Sequence, residues 1–328
     1  MRPRRGPKAF GWGFVMIRAR TIKIQIFAAA IALGLQSAVA FAQEPAAAPS
    51  LGLTSISDSE LDRYVAKSNA VVGLLNSSLR GSESWNRYLS WVDVKRGPTG
   101  KERIIYGLYS VGSIKDVIEK ARQSASADPA IPALDGATKD LASAFEKLAP
   151  ILTEAEAYYD RKDYMSDNMT GGQALHAKLV PAALEFLAAR ERTNALQDQF
   201  KELIDRQQLA KIEKAEGKSV RWHVRNTMML AKKTVDLMPD SPKRGTDLTQ
   251  FDAALASYGE AVRDFDNAVR ESGKSTSVDS YPRDILGKLR EMRDNIAKGR
   301  ADGMTFQMDH RGVITSYNMM VQMSNVFR

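Results

Sequence analysis

Apolar residues recur along this chain at helical spacing, in steps of three and four, from about residue 58 to its C-terminal end. The pattern predicts a first helix from Asp58 to about Trp91, with Ser57 or Asp58 as its N-cap. Helical spacing resumes from Ile104 to Arg122, and Leu134, Leu141, Phe145, Leu148, Leu152 and Tyr159 carry the next face. A long helical stretch follows from about Gln173 to Glu216, with Pro181 as a kink or a new first turn. Ser219 caps a helix whose Val224, Met228, Ala231, Val235 and Met238 share one side, and Pro239 and Pro242 stop it. Leu248, Phe251, Leu255, Tyr258, Val262, Phe265 and Val269 form the most regular heptad, opened by an Asp247/Gln250 capping box and closed by Gly273. Tyr281 to Ile296 and Ile314 to Phe327 complete the series. No alternating run is long enough for a sheet. The expected fold is all-α, an antiparallel multi-helix bundle.

Two stripes at opposite ends share one pattern: Val65, Asn69, Val72, Asn76 and Ile314, Asn318, Val321, Asn325. A buried amide without a partner costs about 1–3 kcal/mol. Each Asn stripe is therefore expected to satisfy the other, which packs the N- and C-terminal helices together.

Two polar stretches interrupt the helices, residues 93–102 and 160–172, the second ending in Gly171-Gly172. The expected organisation is a cleaved signal peptide over 1–42 and a disordered tether over 43–57. One helical domain follows over 58–328, with any subdivision falling near 171. The signal rests on Arg18, Arg20 and Lys23 ahead of the apolar run Ile24–Leu35, then Ala40-Phe41-Ala42 as the cleavage site. Met16 serves equally well as a start. A periplasmic or secreted protein follows, with no transmembrane segment in the mature chain.

Charge changes the picture less than its total suggests. The net charge is +8, but seven of the 47 basic residues and none of the 39 acidic ones lie in residues 1–42. The rest is nearly neutral, so no nucleic-acid footprint remains and any basic stripe has to be local. There is no cysteine, which excludes disulfides, thiolate metal sites and thiol catalysis.

The most distinctive stretch for chemistry is Trp85–Tyr109. Trp85, Tyr88, Trp91, Tyr106 and Tyr109 surround a Gly/Pro loop and point to a ligand groove, with Asp93, Lys101 and Glu102 as polar contacts. The competing reading is an interhelical loop whose rings pack on the bundle. Gly97-Pro-Thr-Gly-Lys101 lacks the glycine spacing and the Ser/Thr of a phosphate loop, and no strand precedes it. Asp160, Asp163 and Asp167, or His176 with Asp160 or Glu185 across helices, are the metal alternative, with the EF-hand order absent and a solvated loop as the competing reading. Arg221 and Arg225 at a helix start suggest an anion site. No nucleophile elbow or zinc-spaced histidine pair occurs.

The segments Arg87-Tyr-Leu-Ser-Trp-Val-Asp93, Gly97-Pro-Thr-Gly-Lys-Glu102 and Tyr106-Gly-Leu-Tyr109 resemble the YiiG-like bacterial proteins. Tyr158-Tyr-Asp-Arg-Lys-Asp-Tyr164 and the terminal Tyr317-Asn318 to Asn325 resemble them too. The resemblance spans nearly all of the mature chain and implies export and a helical fold. It implies no activity, and without the lipobox cysteine no lipid anchor. The expectation is a non-enzymatic exported bundle acting as a binding or envelope-interaction module, with an unknown protein or small-molecule partner and no cofactor. The alternative is a periplasmic metal- or small-ligand-binding protein with an interhelical site.

Overall fold

The computed structural model describes residues 49–243, 245–273 and 276–324. The signal and the first part of the tether, residues 43–48, lie outside them, as does Asn325. Eight α-helices and no strand occur among the described residues. The multi-helix, all-α expectation is met.

The chain forms two compact units that divide between Gln207 and Gln208. The division does not fall near 171. Gly171 and Gly172 instead lie in the first turn of a helix that runs from Thr170 to Glu216 through Pro181, with the Gly171 N–H held by Asp167 Oδ2 at 2.9 Å.

The first unit contains α1 (Leu61–Leu89), α2 (Lys115–Ser124), α3 (Pro132–Asp160) and most of α4 (Thr170–Glu216). Helix α3 starts with Pro at its first position, where the missing N–H has no helical partner to lose. Its Leu134, Leu141, Phe145, Leu148 and Leu152 are wholly buried against the faces of α1 and α4. Gly81 of α1 lets the rings of Phe145 and Phe186 come within about 3.3 Å of where a Cβ would stand. An ion pair sits inside: Lys67 Nζ is 2.6 Å from Asp135 Oδ1, while Asp135 Oδ2 accepts the Ile131 N–H at 2.7 Å.

Residues 49–57 are no free tether. Leu51 and Ile56 are buried in this core, and Gln199 of α4 clamps the strand-like start of the segment. Its side chain accepts from Leu51 N–H at 3.0 Å and donates to the Pro49 carbonyl at 2.7 Å. Two apolar anchors and two part-buried hydrogen bonds hold the segment against the first unit.

The second unit contains α5 (Val220–Asp236), α6 (Thr249–Ser272), α7 (Tyr281–Ala297) and α8 (Gly303–Ser324), with a core of its own. Ser219 caps α5 through the Trp222 N–H, and Gly273 ends α6 at φ +64°, as the pattern predicts. Asp247 bonds the Thr249 N–H instead of forming the expected box. Arg293 grips Asp252 through two bonds of 3.0 and 2.8 Å.

Each terminal helix spends its apolar face on its own unit's core. Val72 and Ile314 are buried, but Asn69 and Asn76 are exposed, and Asn318 is half-buried in the second unit. An exposed amide is satisfied by water, so the supposed need for a partner stripe disappears.

Candidate functional site

Sequence spacing predicts a helix from Ile104, yet α2 begins only at Lys115. Residues 101–114 run without regular structure along α1 because α1 supplies side-chain partners for their backbone. Ser84 Oγ donates to the Tyr109 carbonyl at 3.0 Å and accepts its N–H at 3.1 Å. Arg87 Nε donates to the Tyr106 carbonyl, Arg80 Nε to that of Ser110, and Trp91 Nε1 to that of Gly107, at 2.9–3.1 Å. Gly107 turns the segment at φ +65°, a conformation that breaks a helix. Both Arg80 and Arg87 stack on Tyr109, their guanidinium carbons 4.2 and 4.5 Å from its ring centre.

Beneath this segment lies an aromatic cluster from α1, the turn that follows it, α3 and α4. Trp91 meets Tyr88 and Tyr159 edge-on at 5.3 and 5.0 Å, and Tyr158 meets Tyr159 at 5.0 Å. Tyr88 Oη is 2.9 Å from His176 Nδ1, and His176 Nε2 is 3.2 Å from the Val94 carbonyl. A carbonyl only accepts, so Nε2 carries the proton and Nδ1 accepts from the tyrosine. Burial pushes the hydroxyls of Tyr88 and Tyr159 well above the usual phenol range. Tyr158 rises to about 12, through burial and then through its bond to Asp167.

The Gly-Pro-Thr-Gly loop serves its own neighbour. Gly97 and Gly100 have φ +73° and +76°, and Glu102 Oε1 accepts from the Thr99 N–H at 2.6 Å and from its hydroxyl at 2.8 Å. Burial would raise the Glu102 carboxyl, but the Thr99 bonds outweigh it and hold the group below the usual range. Glu102 Oε2 and Tyr159 Oη are buried without a hydrogen-bond partner among the described residues. The loop N–H that a phosphate would need is therefore already taken.

The residues expected to line a groove separate into two sets. Trp85 and Tyr88 are 2% and 1% exposed and belong to the core, because α1 turns that face inward. Trp91 and Tyr109 are half-buried, their polar atoms and rings holding the extended segment in place. Asp93 is exposed, but its carboxylate caps the Lys95 and Arg96 N–H groups, which hold it below the usual range. Lys101 and Tyr106 are exposed, as are Val94 and Ile104, which sequence reasoning did not place in the groove.

The metal alternative finds no geometry. No group of three His, Asp or Glu converges among the described residues. Both ring nitrogens of His176 are engaged, Asp163 pairs with Arg161 at 2.6 Å, and Asp160 is exposed. The anion reading also falls: Arg221 pairs with Glu216 at 2.8 Å, and Arg225 is buried against Gln208. A cleft of about 620 Å³ that no motif announced lies between Ile114, α2 and α3, with Ile118, Arg122, Glu146 and Pro150 in its walls. Its only sequence signal is Pro150 inside a helix. No helix among the described residues is long and apolar enough to cross a membrane.

Comparison with known proteins gives a family and no activity. The chain is 24% identical over 263 residues to the uncharacterized protein YiiG of Escherichia coli strain K12, covering 77% of this chain and 71% of that protein. No solved structure matches. The family described as protein of unknown function (DUF3829) matches residues 58–325, and the chain belongs to that family.

Proposed function

We propose that this protein is an exported, non-catalytic binding module of the cell envelope, and that residues 93–106 form its contact surface. The observation that carries this reading is a rigidly seated segment with outward apolar residues. Val94, Ile104 and Tyr106 are 41%, 48% and 48% exposed, although the Tyr106 carbonyl is held by Arg87 of α1 and the Val94 carbonyl by His176 of α4. Soluble surfaces rarely group large apolar side chains on fixed backbone without a partner to cover them. Export rests on the signal pattern of residues 16–42.

The test is fractionation of the bacterium that makes the protein. An Ile104→Asp/Tyr106→Asp variant should lose most of its association with the envelope fraction while keeping its thermal unfolding midpoint. Equal association of variant and wild type would end this reading. Mass analysis of the mature chain should find cleavage after Ala42.

Small-ligand binding has one observation in its favour, the cleft beside α2 and α3. Native mass spectrometry of chain purified from its own periplasm tests it. A bound small molecule that an Ile118→Trp variant no longer carries would support that reading. A bare mass in the wild type would remove it.

A further inference from the structure

Arg190, in the middle of α4, is a half-buried cation that no acid balances. Its Nε donates to Ser78 Oγ of α1 at 3.2 Å. Ser78 is wholly buried and donates its own hydroxyl to the Leu75 carbonyl at 2.9 Å, which fixes the plane of the guanidinium. The four N–H bonds on the Nη atoms have no partner among the described residues. By contrast, Lys67 and Lys201 of the same unit, also withdrawn from water, each hold an aspartate.

Acids at this level of α1, α3 and α4 are paired elsewhere or face water. Glu185 holds Lys147, Asp140 lies against Arg192 and Glu83 against Arg80, while Glu191 is exposed. Burial lowers the Arg190 pKa, and no neighbouring carboxylate offsets it. A guanidinium withdrawn from water without a counter-charge is unfavourable, and an anion in contact with it removes that cost.

A second unpartnered polar group lies one turn away. Ser82 is 4% exposed, and its hydroxyl has no hydrogen-bond partner among the described residues. It shares a face of α1 with Ser78, and side chains four apart have Cβ atoms about 6 Å from each other. Ser78 meets Arg190 and Gly81 meets the Phe186 ring, so α1 and α4 run antiparallel and Ser82 stands level with Phe186 and Leu187. Helical side chains lean towards the N-terminus of their own helix, which carries the Arg190 guanidinium towards that turn.

We infer that Arg190 and Ser82 form a site for a carboxylate, with the Nη groups of Arg190 holding both oxygens and the Ser82 hydroxyl donating to one of them. A planar fork matches a carboxylate through two parallel bonds. One cation balances one negative charge, and Arg190 lies far from the helix N-termini that commonly meet the second charge of a phosphate. Half-buried Leu187, three residues before Arg190, offers apolar surface to the rest of the ligand. The ligand class is a monocarboxylic acid with an apolar body. The site is separate from residues 93–106 and from the cleft beside α2 and α3, and needs neither.

The test is equilibrium dialysis of the mature chain, purified from the cells that make it, against radiolabelled octanoate in physiological salt. Wild type should bind octanoate saturably, and uncharged octanamide should compete at least about tenfold more weakly. Arg190→Gln should lower octanoate affinity by about tenfold or more, and Arg190→Lys, which keeps the charge without the fork, by less. Ser82→Ala should also lower it by about tenfold. Arg190→Gln should unfold at no lower temperature than wild type, because it removes an unbalanced charge. If that variant fails to fold, Ser82→Ala carries the same test. Absence of saturable octanoate binding overturns the inference, as does binding that neither Arg190→Gln nor Ser82→Ala weakens. Competition by inorganic phosphate stronger than that by unlabelled octanoate overturns the carboxylate assignment. Ile104→Asp/Tyr106→Asp should leave octanoate binding unchanged, which separates this site from the proposed contact surface.

Discussion

Tyr88 and His176, 88 positions apart, share a hydrogen bond of 2.9 Å that ties α1 to α4 under the extended segment. The second nitrogen of His176 reaches the Val94 carbonyl, so one imidazole anchors the start of the contact surface to the core. Tyr88→Phe should destabilise the first unit by about 1 kcal/mol, the usual net effect of one such bond. In a double-mutant cycle with His176→Phe by urea denaturation, the two changes should couple. Strict additivity would show that the bond contributes nothing.

The same histidine gives a pH dependence. Burial depresses the His176 pKa below its ordinary value near 6.5, and the Val94 bond offsets this only in part. The unfolded chain therefore binds a proton that the folded chain resists, and stability should fall as pH drops below about 6.5. Above that value both states are neutral and the effect vanishes. His223, also depressed by burial, contributes in the second unit. A His176→Gln variant should show a shallower fall between pH 7.5 and 5.5. An unchanged slope would place the titration elsewhere.

Gly97 and Gly136 should respond oppositely to alanine. At Gly97 the backbone is left-handed and a Cβ would stand 3.0 Å from the His176 ring, so Gly97→Ala should cost about 1–2 kcal/mol or more. Gly136 lies inside α3 with nothing within 4 Å of a new Cβ, and Gly136→Ala should stabilise by about 0.5–1 kcal/mol. Thermal midpoints of the two variants check both signs.

The Lys67–Asp135 pair should be costly to halve. Lys67→Met leaves a buried carboxylate facing an apolar side chain, a change worth about 3–5 kcal/mol. Lys67→Met/Asp135→Asn should recover part of it, because Asn keeps an acceptor for the Ile131 N–H. Urea midpoints below that of the single variant would contradict this.

Much of the fold was legible in residue spacing. The faces of α3 and α6, the extent of α4 and the Ser219 and Gly273 caps follow from local periodicity and backbone chemistry, which act over a few residues. The extended segment was not legible. Ile104, Ile105, Tyr106 and Tyr109 fit a helical face on paper, and only the side chains of Ser84, Arg80, Arg87 and Trp91 make the open backbone affordable.

The site divides along the same line. The sequence by itself marked Trp85–Tyr109 as unusual, because aromatic residues around Gly and Pro stand out in one dimension. It also showed that any basic surface had to be local, since charge can be counted without coordinates. Tertiary structure decided which rings are core and which face water. Burial depends on where each stretch of backbone lands among its neighbours: Trp85 is on the inward face of α1 and is 2% exposed, while Tyr106 is on the extended segment and is 48% exposed. It likewise left Asn69 and Asn76 exposed, where water satisfies an amide. Local interactions set the helices, while contacts between residues far apart in the chain set the surface.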